Sequence, residues 1–300
     1  MKRGSGVESM ERKWGIIFAL PSILGFLIFA LGPFLASFLL GLTKWQIGAK
    51  PQFIGLGNYH HMVSQDPVFW KSLWVTLYYS LLAVPIGMLL AFLIALLLNQ
   101  KVRGLSLFRT IFYLPYVVPS VSSIMLWMWM FNPTYGLLNG FLKALGLPAS
   151  QWIYSPSTTI PSLALMSIWQ LGNTVIIYLA GRQGVPVHLY DAVEVDGGGA
   201  WSKLIHVTIP SMTPTILFNL VLSIIGTFQT FNQAYLMTQG GPNYASQFFV
   251  YNIFQYAFQY GDMGYACALS WILFIIIMIL SVVVFRTSGR WVYYEGADAM

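Results

Sequence analysis

The residues able to do chemistry in this chain are few, and the densest group lies in LYDAVEVDGGGAWSKLIHVTIP at 189–210. This segment holds Asp191, Glu194 and Asp196, three of the nine carboxylates in 300 residues, followed by Gly197, Gly198 and Gly199. Leu189, Ala192 and Val193 fall at i, i+3 and i+4. The spacing predicts a short amphipathic helix over 188–196, apolar on one face and acidic on another, stopped by the glycines. Acidic groups suit a protein groove better than an inner membrane leaflet, which is itself anionic. A second group is uncharged. Asn219, Ser223, Thr227 and Thr230 follow at +4, +4 and +3 with Gly226 on the same face, and Gln170 and Asn173 pair around Gly172. Amides and hydroxyls offer many donors and acceptors without charge, the chemistry that holds a sugar or another polyol. Stripes of Ser, Thr and Gly also pack helices together in membranes, and the spacing leaves both readings open.

Positioning these groups falls to helices that cross a membrane. The chain is 57% apolar and only 8% charged, whereas a soluble domain carries about 25% charge. Six uncharged runs reach or exceed the ~20 residues that span a bilayer as a helix: Trp14–Leu42, Leu73–Leu98, Ile111–Phe131, Ile160–Leu179, Met212–Leu236 and Tyr265–Phe285. They are continuously apolar, not alternating, so the fold class is all-α and polytopic rather than a barrel. The basic start at Met1–Lys13 resembles a signal peptide, but the apolar run after it is too long, which predicts a retained helix kinked at Pro21 and Pro33. Pro210 and Pro214 bracket the start of the fifth run. Lys and Arg number eleven in the N-terminus, the 99–110 and 180–211 loops and the C-terminus, against Lys44, Lys50, Lys71 and Lys143 on the other side. That asymmetry places both termini and the acidic loop in the cytoplasm. The net charge of +6 then reflects topology and implies no nucleic acid. The resulting division is a cytoplasmic segment at 1–13, a six-helix domain at 14–285 with a cytoplasmic loop at 182–210, and a cytoplasmic tail at 286–300.

None of the six runs contains a charged residue, so no proton or ion relay is visible. No lysine follows a glycine, which removes the phosphate-binding G-x-x-x-x-G-K-[ST] loop. A chain without either feature moves solute only if energy enters from another subunit. The alternative is a secondary carrier or facilitator that needs none. His61 and Asp66 make an H-x-x-x-x-D spacing with no companion motif, and adjacent His60 and His61 are badly placed to chelate one metal. The reading is of a non-enzyme that binds no cofactor and no metal.

The order acidic-Ala-x-x-x-Asp-Gly, an apolar stretch and Ile-Pro resembles the EAA loop of inner-membrane permeases of ATP-binding-cassette importers. Asp191 stands where that family usually has Glu, Ala192 at its first Ala, Val193 at its second and Gly197 at its glycine. FIGLGNY (53–59), FRTIFYLPYVVP (108–119) and YLMTQGGPNYASQFFVYNIFQYAF (235–258) are similar, in the same order, to segments of the MalF-like carbohydrate-uptake branch. The resemblance implies a type I importer permease in a bacterial or archaeal inner membrane. It implies a second, homologous permease, two ATPase subunits that bind ATP and Mg, and a periplasmic or lipid-anchored binding protein that delivers carbohydrate. Asp191, Ala192, Val193, Glu194, Asp196 and Gly197 would form the helix that couples to the ATPase. Gln170, Asn173, Asn219, Ser223, Thr227 and Thr230 would line the substrate pathway. The penultimate span contacts substrate in such permeases. Asn232 stands where sugar-branch members often have Asp. The outward loops 43–72, 132–159 and 237–264 would receive the binding protein.

Overall fold

The computed structural model describes residues 5–100 and 104–293. Lys2, Arg3, Lys101 and Arg103 of the charge count, and residues 294–300 of the tail, lie outside the described residues. In chain order the helices are α1 (Ser5–Phe26), α2 (Gly32–Gly41), α3 (Gly57–Ser64), α4 (Pro67–Leu97), α5 (Leu105–Val117), α6 (Ser120–Met130), α7 (Leu137–Ala144), α8 (Thr159–Ile168), α9 (Gly172–Gln183), α10 (Val187–Val195), α11 (Ala200–Lys203), α12 (Ile209–Phe228), α13 (Phe249–Phe254) and α14 (Met263–Ser288). Among the described residues, four helical stretches are long and apolar enough to cross a membrane, and six when each bent pair counts as one span.

The chain divides into two compact units, Met1–Gln65 with Ile253–Ile272 and Asp66–Asn252 with Leu273–Met300. In the first, α1 and α2 run on through a π-turn at Leu27–Leu31. The FIGLGNY segment opens on Phe53, the second residue of β2 (Gln52–Phe53), which pairs antiparallel with β1 (Thr43–Lys44). Asn58, almost fully buried, donates from Nδ2 to the carbonyls of Gly41 and Thr43 at 2.8 and 2.9 Å, pinning the end of α2. Gly264 is glycine because a Cβ there would come within 2.9 Å of the Trp45 nitrogen.

The second unit is built around α4. Ser72, Thr76, Ser80, Ala83, Gly87, Ala91 and Ala95 recur at three- and four-residue steps and are all buried. Small side chains let neighbouring backbones approach, the packing mode available where lipid removes the hydrophobic drive between helices. Helices α8, α9 and α12 pack on this stripe, while Trp70, Trp74, Leu81 and Leu89 point out. Asp66 caps α4 by accepting from the Val68 and Phe69 nitrogens at 2.8 and 3.2 Å. Asp66→Ala is expected to cost about 1 kcal/mol, the usual value of a lost N-cap, readable as a lowered Tm in detergent. TQGGPNY folds into a tight loop. Ser246 Oγ donates to the Gly241 carbonyl at 2.6 Å, and the Phe249 nitrogen donates to Thr76 Oγ1 at 2.9 Å. Gly240 sits at φ +81°, where a side chain would be strained.

Three spans depart from the expected straight runs. The third is α5 and α6, bent by 95°. Val118 precedes Pro119 and is held extended at ψ 131°, because the proline ring disfavours the helical region for its predecessor. The fourth is α8 and α9, bent by 49°. The fifth begins at Ala200, not Met212, and ends at Phe228, not Leu236. Residues expected to lead into it as a loop are already helical, and a π-turn at Leu204–Thr208 precedes Pro210. A π-turn widens the ladder where a proline lacks its N–H, which lets the helix run through.

Candidate functional site

The acidic segment forms the nine-residue helix α10, entered from Pro186 in extended conformation. Its inner face is Leu189, Tyr190 and Val193, packed on a cluster that includes Ala91, Ala95, Leu98, Val207 and Met212. Ala192, expected on that face, is exposed instead; Tyr190 takes its place. Val187 and Val195 are 71% and 87% exposed, and Asp191, Glu194 and Asp196 are exposed beside them. The outer face is thus acidic groups flanked by apolar ones that no part of the second unit covers.

The three glycines have distinct roles. Gly197 is left-handed at φ +79° and donates to the Glu194 carbonyl at 3.0 Å, while Gly198 donates to the Val193 carbonyl at 2.8 Å. This pair of bonds satisfies two carbonyls that a helix end otherwise leaves open. A Cβ on Gly198 would lie 2.5 Å from Val193 Cγ1 and 2.9 Å from the Val193 oxygen. Glycine at 198 therefore tightens the helix end instead of loosening it. Gly199 caps α11 with open space around it.

Lys203 reaches back to Glu194 at 2.5 Å. That hydrogen bond, reinforced by the ammonium charge, holds the Glu194 carboxyl below the usual carboxylate range. A depressed carboxyl favours the fold above its unfolded titration range and loses that contribution as pH falls through the folded value. Both side chains reach solvent, so the contribution is small. On the inner side the Arg182 guanidinium lies 4.4 Å from the centroid of the Tyr190 ring, whose hydroxyl meets Thr208 Oγ1 at 3.1 Å.

Between α4, α8, α9 and α12 lies a cavity of about 240 Å³. Gln170, Ser223, Thr227 and Thr230 line it together with Gly226. Thr227 Oγ1 meets Ser80 Oγ at 2.8 Å. Thr230 arrives by another route than a helical face: α12 ends at Phe228 with Gln229 as its C-cap, and Thr230 follows in irregular chain. Gln170 lies in the break between α8 and α9. Asn173 is exposed on α9, outside the cavity lining. Asn219 is 2% exposed, outside the lining, and its Nδ2 has no partner among the described residues. Asn232 donates to Ser120 Oγ at 3.3 Å. Sequence reasoning missed Tyr79, Ser167, Thr174 and Gln233, which complete the polar lining. Thr174 and Gln233 flank positions already singled out, but only the two breaks in the helices turn them inward.

The family of binding-protein-dependent transport system inner membrane components matches residues 83–292. A probable ABC transporter permease, YesP of Bacillus subtilis (strain 168), is 34% identical over 98% of this chain and 99% of its own. The trehalose/maltose transport system permease MalF of Thermococcus litoralis is 30% identical over 95% of this chain and 97% of its own. In structure the chain resembles one from a bacterial alginate ABC transporter in complex with an alginate pentasaccharide-bound periplasmic protein. The TM-score is 0.83 at 23% identity, covering 94% of this chain and 96% of that one. Members of the family are inner-membrane subunits and not enzymes. This chain belongs to the binding-protein-dependent transport system inner membrane components and is a permease subunit of an ABC importer.

Proposed function

We propose that this chain forms half of the translocation pathway for a sugar or oligosaccharide and is driven through α10. In this reading six spans cross the inner membrane, with residues 1–13, the 182–210 loop and 286–300 in the cytoplasm and residues 14–285 as the transporting domain. A second, homologous permease supplies the other half. Two ATP-binding-cassette subunits hold ATP and Mg, and this chain binds neither. A periplasmic or lipid-anchored binding protein delivers cargo to the outward loops. Trehalose, maltose and alginate are named for the relatives, and an uncharged polar cavity suits such cargo.

One observation carries the reading: α10 is clamped to the spans on one face and presents Val187, Asp191 and Val195 on the other. A helix so held transmits displacement instead of absorbing it. Asp191, Ala192, Glu194 and Asp196 meet the ATPase, Val193 anchors the helix, and Gly197 ends it. ATP binding closes the ATPase pair, draws on α10 and turns the spans from inward-open to outward-open. The loaded binding protein then releases its sugar to a path lined by Gln170, Ser223, Thr227 and Thr230. Asn173 and Asn219 join that path only if the spans move.

The test is reconstitution with the co-encoded permease, ATPase and binding protein. Loaded binding protein is expected to stimulate hydrolysis. Asp191→Lys is expected to cut that stimulation about tenfold, the scale of one misplaced interfacial charge. Uptake without hydrolysis would make the chain a secondary carrier and end this reading.

A further inference from the structure

A larger cavity, about 420 Å³, lies beneath the inner face of α10. Asn99 and Gln100 line it from the end of the second span, Arg182 from the end of the fourth, Tyr190 from α10 itself, and Lys203 and Thr208 from the segment that opens the fifth. No carboxylate lines it. Arg182 makes no hydrogen bond or ion pair among the described residues, although its guanidinium is fixed over Tyr190 at 4.4 Å. The Asn99 and Gln100 amides likewise have no side-chain partner among the described residues. Lys203 is shared with Glu194, whose side chain is 71% exposed on the outer side.

We propose that this cavity binds a phosphoryl group. A fixed guanidinium is a planar fork of five donors that matches phosphate oxygens two at a time. An ammonium and two amides around it supply the remaining donors for a tetrahedral anion. Apart from Tyr190 on α10, the contributing segments are span ends, the depth at which phospholipid headgroups lie, and basic pockets between helices at that depth take anionic headgroups. A free phosphate compound has the same chemistry and reaches the pocket from solution. The site adjoins the outer face of α10 assigned above to the ATPase: Val187 and Asp191 do not line it, and Lys203, which does, reaches Glu194 on that face. Occupancy would brace α10 against the spans at the point where force enters.

The assembled permease complex is placed in nanodiscs of phosphatidylcholine, alone or mixed equally with phosphatidylglycerol, and retained lipid is counted by native mass spectrometry. In parallel, inorganic phosphate is titrated into the phosphatidylcholine discs. Arg182→Gln is expected to reduce retention about tenfold, the loss of one or two charge-assisted bonds. Arg182→Lys, which keeps the charge without the fork, should fall between, and Arg290→Gln, outside the pocket lining, should behave as wild type. Arg182-dependent retention of phosphatidylglycerol identifies a lipid headgroup. Arg182-dependent binding of inorganic phosphate identifies a soluble ligand. If neither retention nor binding differs between wild type and both Arg182 variants, the proposal is overturned, and thermal melting checks that each variant is folded.

Discussion

A Gly198→Val permease is expected to insert and assemble with its partners yet accumulate no substrate above background. The valine Cβ would overlap Val193 Cγ1 at 2.5 Å and crowd, at 2.9 Å, the carbonyl that Gly198 itself bonds. Relief requires the Gly198 segment to withdraw. That opens both bonds of the cap, each worth about 1 kcal/mol. A helix of nine residues has little stability of its own, so it frays at the end carrying Glu194 and Asp196. Force arriving from the ATPase is then lost in the frayed turn. The neighbouring glycines supply controls. Gly197→Ala keeps the space but must hold φ +79°, a cost of about 1 kcal/mol, and should weaken coupling without abolishing it. Gly199→Ala meets nothing within 4 Å and should transport normally. Paired uptake and ATPase assays in proteoliposomes decide the matter. Normal uptake by the valine variant would show that the end of α10 transmits nothing.

How much of this was legible beforehand depended on whether the signal was local. The apolar runs are long and uncharged, so the membrane helices could be read from length and composition alone, whereas the small-residue stripe of α4 shows its role only in the packed structure. The amphipathic helix could be read too, but one of the three residues of its inner face was misassigned. Ala192 and Tyr190 flank Asp191, and the aromatic ring, with Arg182 above it and Thr208 at its hydroxyl, reaches the core better than a methyl group does. The start of the fifth span was misplaced because Ser202, Lys203 and His206 look like loop, and because Pro210 looks like a boundary. A π-turn is not visible in composition. The bends at Val118–Pro119 and at 169–171 had the opposite character: the first follows from a local proline rule, yet an uninterrupted apolar run concealed it. Tyr79 and Gln233 reached the cavity lining only through tertiary placement. The triple glycine was least explicable in sequence and is now the most specific feature of the loop, since its three positions answer to a dihedral angle, a close approach and neither.

Gly226→Trp is expected to stop uptake while leaving the complex assembled and its ATPase still stimulated by the binding protein. Gly226 lines the cavity between α4, α8, α9 and α12, and a Cβ there meets nothing within 4 Å. It occupies a helical position, so replacing glycine favours α12 by about 0.5 kcal/mol and imposes no strain on the backbone. The indole therefore enters a space of about 240 Å³ without displacing protein, and it removes room beside Ser223 and Thr227 that a sugar would need. Gly226→Ala is the matched control: it gains the same helical preference, fills little of the space and should transport as wild type. Packing and pathway make opposite demands at this residue. Were the Ser, Thr and Gly stripe of α12 only a surface on which helices pack, tryptophan at 226 would separate them and lower Tm, and uptake and assembly would fall together. On the pathway reading Tm and assembly hold while uptake alone is lost. Full transport by the tryptophan variant would place the sugar's route elsewhere in the complex.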